Sequence, residues 1–340
     1  MSLSGTWSFT VNATDIVRES MLNVGAIGES EVPTAQEYTD CLRKLNMLVK
    51  QWMGTQDFAP GIKMFSRQRG DLFLGNTQFQ YALGPSGDNF AAATTGLSGN
   101  GQTYGQTQLT LNAAQGATTF TAMQVSQMNV NDYVGLQINN DIFWSTITAI
   151  NTGALTFTIA TGVPGVANGN AYVWNYTVKG QRPLQIVTCI LRDINNNDTP
   201  LDRMTLEDYE ILPSKTQTTF QSDPTSFYYE PQFAIGLSNQ GPGQFYIDCG
   251  GAQDITKHLH IVYLRPVMDF NNPGDNPEYP QQWYRPLCWG LSREIAGMFD
   301  AIWTQDMDLN YRESMAMARE ADTETTSFYF QPYADSPFSP

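Results

Sequence analysis

His258 and His260 are the only histidines of the chain, and their spacing places both on one face of a strand. Two imidazoles presented to one side are the beginning of a metal site. No carboxylate or thiol motif accompanies them, so an ordinary pair of strand residues is the simpler account. The pairs Glu207–Asp208 and Asp306–Asp308 supply the two carboxylates that glycoside cleavage needs. A chain with 33 acidic residues generates such pairs by chance. Asp193, Asn195, Asn197 and Asp198 have the composition of a calcium loop but lack its central glycine and closing glutamate, which points to a solvated turn. Gly96, Gly99, Gly101 and Gly105 sit in a stretch with neither a following helix nor a lysine, so they form a loop and not a phosphate cradle. The sequence holds no G-x-S-x-G elbow, P-loop or H-E-x-x-H motif. No catalytic residue, cofactor or metal is therefore expected, and the chain is read as a non-enzyme.

Six of the 18 basic residues, Arg43, Lys44, Lys50, Lys63, Arg67 and Arg69, gather in one stretch. They form a solvated face, or meet acidic protein neighbours, or touch DNA. The net charge of −15 and a pI near 4.4 favour protein neighbours over DNA. Charged residues make up 15% of the chain, against about 25% in an ordinary soluble domain. Asn, Gln, Ser, Thr and Gly fill the difference, as in β-rich chains whose surfaces are covered by neighbours. Apolar runs such as Cys189–Leu191 and Ile261–Leu264 are too short to span a bilayer. Met1 to Thr10 lacks the basic start and apolar run of an export signal, so none is expected. Cys41, Cys189, Cys249 and Cys288 stand far apart and read as buried free thiols.

Three kinds of sequence position these residues. Around Asn12 to Gly54 the pattern is helical: Ile16, Val17, Met21 and Leu22 suit a short amphipathic helix ended by Gly25. Thr34 and Glu37 make the capping box of a second helix, in which Cys41, Leu45, Leu48, Val49 and Trp52 share a face. Phe65 to Leu83 reads as two strands about a Gly75–Asn76 turn. Residues 89–178 then lose almost all charge, keeping Asp132 and Asp141, and break into short strand-like pieces separated by turns such as Asn139–Asn140 and Thr152–Gly153. That pattern predicts an inserted all-β domain, a small sandwich or barrel. Strands resume at Leu184–Leu191, Phe245–Cys249 and Leu259–Leu264. A third helix tolerates Pro286 only in its first turn and carries Leu287, Leu291, Ile295, Met298 and Ile302 on one face. A fourth follows at Asp308–Ala321, and residues 322–340, with Phe328, Tyr329, Phe330, Tyr333 and Phe338 among three prolines, read as an extended arm that docks on a partner.

Several of these stretches together resemble head-to-tail adaptor (head-completion, packaged-DNA stabilisation) proteins of short-tailed bacteriophages. The stretches are Leu45-Asn46-Met47-Leu48 with Trp52, Arg182-Pro183-Leu184, Pro200-Leu201 leading to Tyr209, and Tyr263-Leu264-Arg265-Pro266. The nearest likeness is Tyr279-Pro280-Gln281-Gln282-Trp283 running into Leu287-Cys288-Trp289-Gly290-Leu291, followed by Asp322-Thr323-Glu324. The resemblance spans roughly residues 12–85 and 179–330. It implies an α+β fold: a helical adaptor core with a small β-sheet in 1–88 and 179–321, the inserted domain in 89–178, and the arm in 322–340. Leu45, Leu48, Trp52, Trp283, Leu287 and Leu291 are then the packing residues of the helical core, and the arm aromatics are the portal-docking residues.

What the resemblance implies about function is a virion protein at the head–tail junction, made in the host cytoplasm. It would form a homo-oligomeric ring of about twelve copies beneath the portal protein. The ring would extend the DNA channel without sequence-specific binding, retain the packaged genome and carry a downstream tail or nozzle protein. Other expectations stay open: a different tail component, such as a tube or decoration protein, or a tail-associated glycan-binding or glycan-cleaving protein.

Overall fold

The structure is a computed structural model and describes residues 5, 8–53, 62–93, 103–213, 222–231, 241–249 and 254–323. Two helices come first, α1 (Ala13–Asn23) and α2 (Ala35–Trp52), followed by strands β1 (Arg67–Phe73), β2 (Gln80–Leu83) and β3 (Phe90–Ala92). Next are β4 (Gly105–Gln108), β5 (Thr119–Thr121), β6 (Tyr133–Ile138), β7 (Asp141–Asn151), β8 (Thr156–Ile159) and β9 (Tyr172–Tyr176). After them run β10 (Gln185–Arg192), β11 (Asp198–Pro200), β12 (Asp202–Arg203), the short α3 (Leu206–Ile211), β13 (Ser226–Glu230), β14 (Gly243–Ile247) and β15 (His258–Leu264). A 3-10 turn at Gln281–Trp283 leads into α4 (Tyr284–Ala296), and α5 (Gln305–Ala321) is last.

These elements divide into two compact units, a helical one from 1–65 with 267–340, and a β unit from 66–266. In the helical unit α4 packs against α1, α2 and α5. Thr34 and Glu37 close the α2 capping box, with Thr34 N donating to Glu37 Oε2 at 2.8 Å. Pro286 lies in the first turn of α4, where a missing N–H costs nothing. The helix ends at Ala296, short of the expected face, because the chain turns through Gly297 and through Asp300 at φ 50°; Ile302 is left 82% exposed.

The β unit is built from three sheets. A five-stranded sheet, β11-β10-β15-β1-β3, faces a four-stranded one, β12-β13-β14-β2. Between them lies a core that includes Leu72, Tyr81, Phe90, Phe227, Phe245, Leu259, Ile261 and Tyr263. The third sheet runs β4-β9-β6-β7-β8-β5, and its outer strands meet through an antiparallel bridge between Leu109 and Ala122. The bonds Thr110 N to Thr121 O and Met123 N to Gln108 O, both 2.9 Å, flank it. Residues 105–176 thus form a six-stranded, half-barrel sheet around Leu109, Phe120, Leu136, Ile147, Phe157 and Val173, its first and last strands joined just past their ends by that one bridge.

The expected helical core with a small sheet is not what the chain forms. Among the described residues fifteen strands in three sheets stand against five α-helices of 11, 18, 6, 13 and 17 residues. Caps and apolar stripes make helices conspicuous in a sequence. Strands such as Ser-Phe-Tyr-Tyr-Glu in β13 are short, and their partners are remote: Asp71 on β1 pairs with His260 on β15, 189 positions away. No local window contains such a sheet.

Candidate functional site

Alternation along β1 and β15 creates a buried cluster of ionisable groups in the β unit. Leu259, Ile261 and Tyr263 point into the core between the two sheets, so His258 and His260 must leave by the opposite face. In the antiparallel register Asp71 lies across from His260 and Phe73 across from His258. Asp71 Oδ1 sits 2.8 Å from His260 Nδ1 and 3.5 Å from His258 Nε2. Its other oxygen accepts from the backbone N–H of Thr103 at 3.1 Å and from the Thr103 hydroxyl at 2.7 Å. Tyr104 OH is 3.3 Å from His258 Nε2. Asp71 and both imidazoles are buried. Burial pushes His258 down to about 4, against the pull of the Asp71 carboxylate towards protonation.

On the same side Phe73 packs on Tyr104, Trp144, Trp174 and Tyr176, the aromatic outer wall of the barrel. Asp71 therefore spends its acceptor capacity on holding the residues that lead into β4, and the imidazoles face rings and a carboxylate, not solvent. The cluster positions a chain crossing. Among the described residues no three His, Cys, Asp or Glu side chains are placed to hold a metal ion.

The other chemically suggestive residues have local structural tasks. Asp208 closes a capping box with Thr205, whose hydroxyl donates to it at 2.7 Å. Asp308 pairs with Arg312 at 2.7 Å within α5. Asp193 accepts from the backbone N–H groups of Asn195 and Asn197, both 2.8 Å, and from the Asn197 amide at 2.7 Å, so its carboxylate turns in on its own loop. Of the basic stretch, Arg43, Lys44, Lys50 and Lys63 belong to the helical unit, and Arg67 and Arg69 to the β unit. Arg43 pairs with Asp40 at 3.2 Å, and Lys50 pairs with Asp269 at 2.5 Å. Gly105 opens β4; Gly96, Gly99 and Gly101 lie outside the described residues, as do Phe328, Tyr329, Phe330, Tyr333 and Phe338.

Leu45, Leu48, Trp52, Trp283, Leu287 and Leu291 are all buried, and they meet in the helical unit. The rings of Trp52 and Trp283 lie 5.9 Å apart. A Cβ on Gly290 would come within 2.8 Å of the Trp52 ring and 3.0 Å of Leu48, so only glycine lets α4 approach α2 this closely. Asp322, 6% exposed, caps this unit: its carboxylate accepts from the backbone N–H groups of Lys63 at 2.5 Å, Met64 at 3.0 Å and Phe65 at 3.4 Å.

Two features went unseen in the sequence. Asp71 is one; nothing local marks it, and only the register brings it to the histidines. The other is the outer face of the four-stranded sheet. There Tyr228 and Tyr246 are cross-strand partners with rings 5.8 Å apart, the buried Tyr209 ring of α3 packs on both at 5.9 and 5.1 Å, and Gln80 donates to Gln244 at 2.9 Å and to Tyr246 OH at 3.3 Å. The alternation in S-F-Y-Y-E and G-Q-F-Y-I is the signal that would have found it.

Comparison with known protein families and with curated proteins finds no match. Among solved structures the chain is similar to VP17, a capsid protein of bacteriophage P23-77, at 12% identity. The match covers 62% of this chain and 77% of that one, with a TM-score of 0.14. A superposition this loose carries no information on fold or function. Among the described residues no helix is long and apolar enough to cross a membrane.

Proposed function

We propose that the chain is a structural, non-enzymatic subunit of a short-tailed phage virion, acting as the adaptor between portal and tail. One observation carries the reading. The stretch with the nearest likeness to adaptor proteins, Tyr279–Leu291, and another that shares it, Leu45–Trp52, are remote in sequence yet pack on each other through Trp52, Trp283 and Gly290. They belong to one unit, as the ring-forming part of such an adaptor would. In this reading copies form a ring under the portal, the segment beyond 323 docks on the portal, and the β unit is presented to a downstream tail protein. The barrel supports that last role: its stretch 103–178 carries only Asp132 and Asp141, and it exposes Leu111, Met123, Val130 and Val166. The charge of −15 per chain favours a channel wall that DNA passes without adhering.

The test is co-sedimentation and electron microscopy with purified portal rings, comparing the full chain with one ending at Thr323. Cutting after Thr323 spares Asp322, whose loss would release residues 63–65. A ring on the portal that requires residues 324–340 supports the reading; a full chain that never binds portal removes it.

A second reading, glycan binding by the β unit, draws on the half-buried edge of the Tyr209–Tyr228–Tyr246 cluster with its Gln80 and Gln244 amides. Aromatic faces beside amides suit the C–H and hydroxyl faces of a sugar ring. Saccharide retention by the full chain that is lost in Tyr246→Ala would favour it; no retention on a broad saccharide panel discards it.

A further inference from the structure

We propose that copies of this chain join head to tail by seating the exposed stripe of α5 in a groove along α2 of the next copy. The inference deepens the ring reading above and rests on it. The groove is open and is lined by Leu42, Arg43, Asn46, Met47, Lys50 and Asp269. Met47 is 57% exposed at its centre, and Arg43 and Lys50 flank it, with side chains 66% and 46% exposed. An apolar centre between two cations, in a chain with nearly twice as many acids as bases, asks for an apolar ridge between two anions.

Helix α5 carries that ridge. Leu309, Glu313, Ala316 and Glu320 recur at intervals of four, three and four, with Met317 beside Ala316; all five are exposed, Leu309 at 54% and Met317 at 68%, and Arg312, which borders the stripe, is paired with Asp308. Neither Glu313 nor Glu320 has an ion-pair partner among the described residues. Arg43 and Lys50 are seven positions apart, as are Glu313 and Glu320. On a helix seven positions are about 10.5 Å, so the two charge pairs match in spacing as well as in sign. Arg43 is held by a solvent-facing pair with Asp40, and Lys50 by Asp269 and by a 2.8 Å bond to the Val267 carbonyl, so a new contact must compete with one weak ion pair at Arg43 and with two partners at Lys50.

A second copy is the occupant because groove and ridge complement each other within one chain. They also lie on separate helices, and α4 packs against both. A contact between two different surfaces of identical copies propagates head to tail and closes into a ring when the rotation allows.

The test uses the full chain and two reversed variants, Arg43→Glu with Lys50→Glu, and Glu313→Lys with Glu320→Lys. Circular dichroism checks their fold, and sedimentation velocity with electron microscopy reads the ring fraction, on portal rings if the wild type needs them. Each variant alone should lose at least about tenfold in ring fraction, the effect of weakening a close charge pair. Mixed together the two should assemble again, since each then meets the opposite charge, and a chain with all four reversals should assemble by itself. Arg43→Ala with Lys50→Ala carries the same expectation at about threefold, should reversal disturb α2. Assembly of a single reversed variant at the wild-type level overturns the contact, and so does a mixture that stays apart, which would assign the groove to the tail segment or to a foreign protein. A wild type that forms no ring with or without portal defeats the ring reading itself; rings that survive every reversal defeat only this contact.

Discussion

The helical unit and the barrel reach stable cores by opposite means. The helical unit is charged throughout, three of its four α-helices begin with side-chain caps at Asn12, Thr34 and Thr304, and its core closes on large rings, Trp52 against Trp283. The barrel keeps two charges in residues 103–178, and its turns are set by backbone at positive φ: Gly116, Asn131, Asn139, Leu155 and Asn170. Its core is aliphatic apart from Phe120 and Phe157, and the curled sheet wraps it, its ends joined by one bridge. One unit is specified residue by residue along its helices, the other by where its turns fall. Substitutions should therefore fail differently in the two.

The largest effect expected is from Trp283→Ala, a loss of about 3–5 kcal/mol from the helical unit. Hydrogen exchange should show α4 amides opening while those of β6 and β7 stay protected. Phe157→Ala should give the mirror image at similar size. If either substitution opens both regions equally, the chain unfolds as one body and the contrast is wrong.

The next effect depends on pH. Buried His258 binds its proton only near pH 4 when folded, whereas an unfolded histidine does so near about 6.5. Between those values the unfolded chain takes up more protons than the folded one, so the stability of the β unit falls as pH drops through this window, by up to about 3 kcal/mol. Denaturation midpoints from pH 7 to 4 should fall for the wild type and fall much less for His258→Asn. Equal slopes would show that another group governs the acid response.

Smaller effects sharpen the contrast. Thr34→Ala removes the α2 cap and should cost the helical unit about 1 kcal/mol. Leu155, at φ 52° and 41% exposed, occupies a conformation that disfavours a branched side chain. Leu155→Gly should leave the barrel unchanged or raise its stability by up to about 1 kcal/mol; a loss larger than that would mean the side chain, and not the turn, matters there.

The same contrast explains what could be read from the sequence. The Thr34–Glu37 box, the buried face Leu45–Leu48–Trp52 and the barrel pieces between Asn139–Asn140 and Thr152–Gly153 are local signals, and each lies where the spacing puts it. The sheets outside the barrel depend on pairings between distant segments, and so the balance of strand to helix is not visible in any local stretch. The histidine spacing was legible, but not the carboxylate between them, because Asp71 arrives through register alone. Asp322 was noticed as part of a motif, while its task, holding three N–H groups at positions 63–65, joins residues about 259 apart. The arm aromatics fall outside the described residues, and the glycine stretch does so in part.

The Asp322 clamp has a mechanical consequence. It sits one residue past the end of α5, ahead of everything that follows. Tension applied to the chain beyond Thr323 therefore meets the carboxylate first, and its three bonds divide the load between the end of α5 and the segment at 62–65. A helix pulled from its last residue unwinds turn by turn at low force, whereas bonds strained side by side must break together. Whatever the final segment grips, a pull on it is felt by the body of the helical unit and not spent in fraying its last helix.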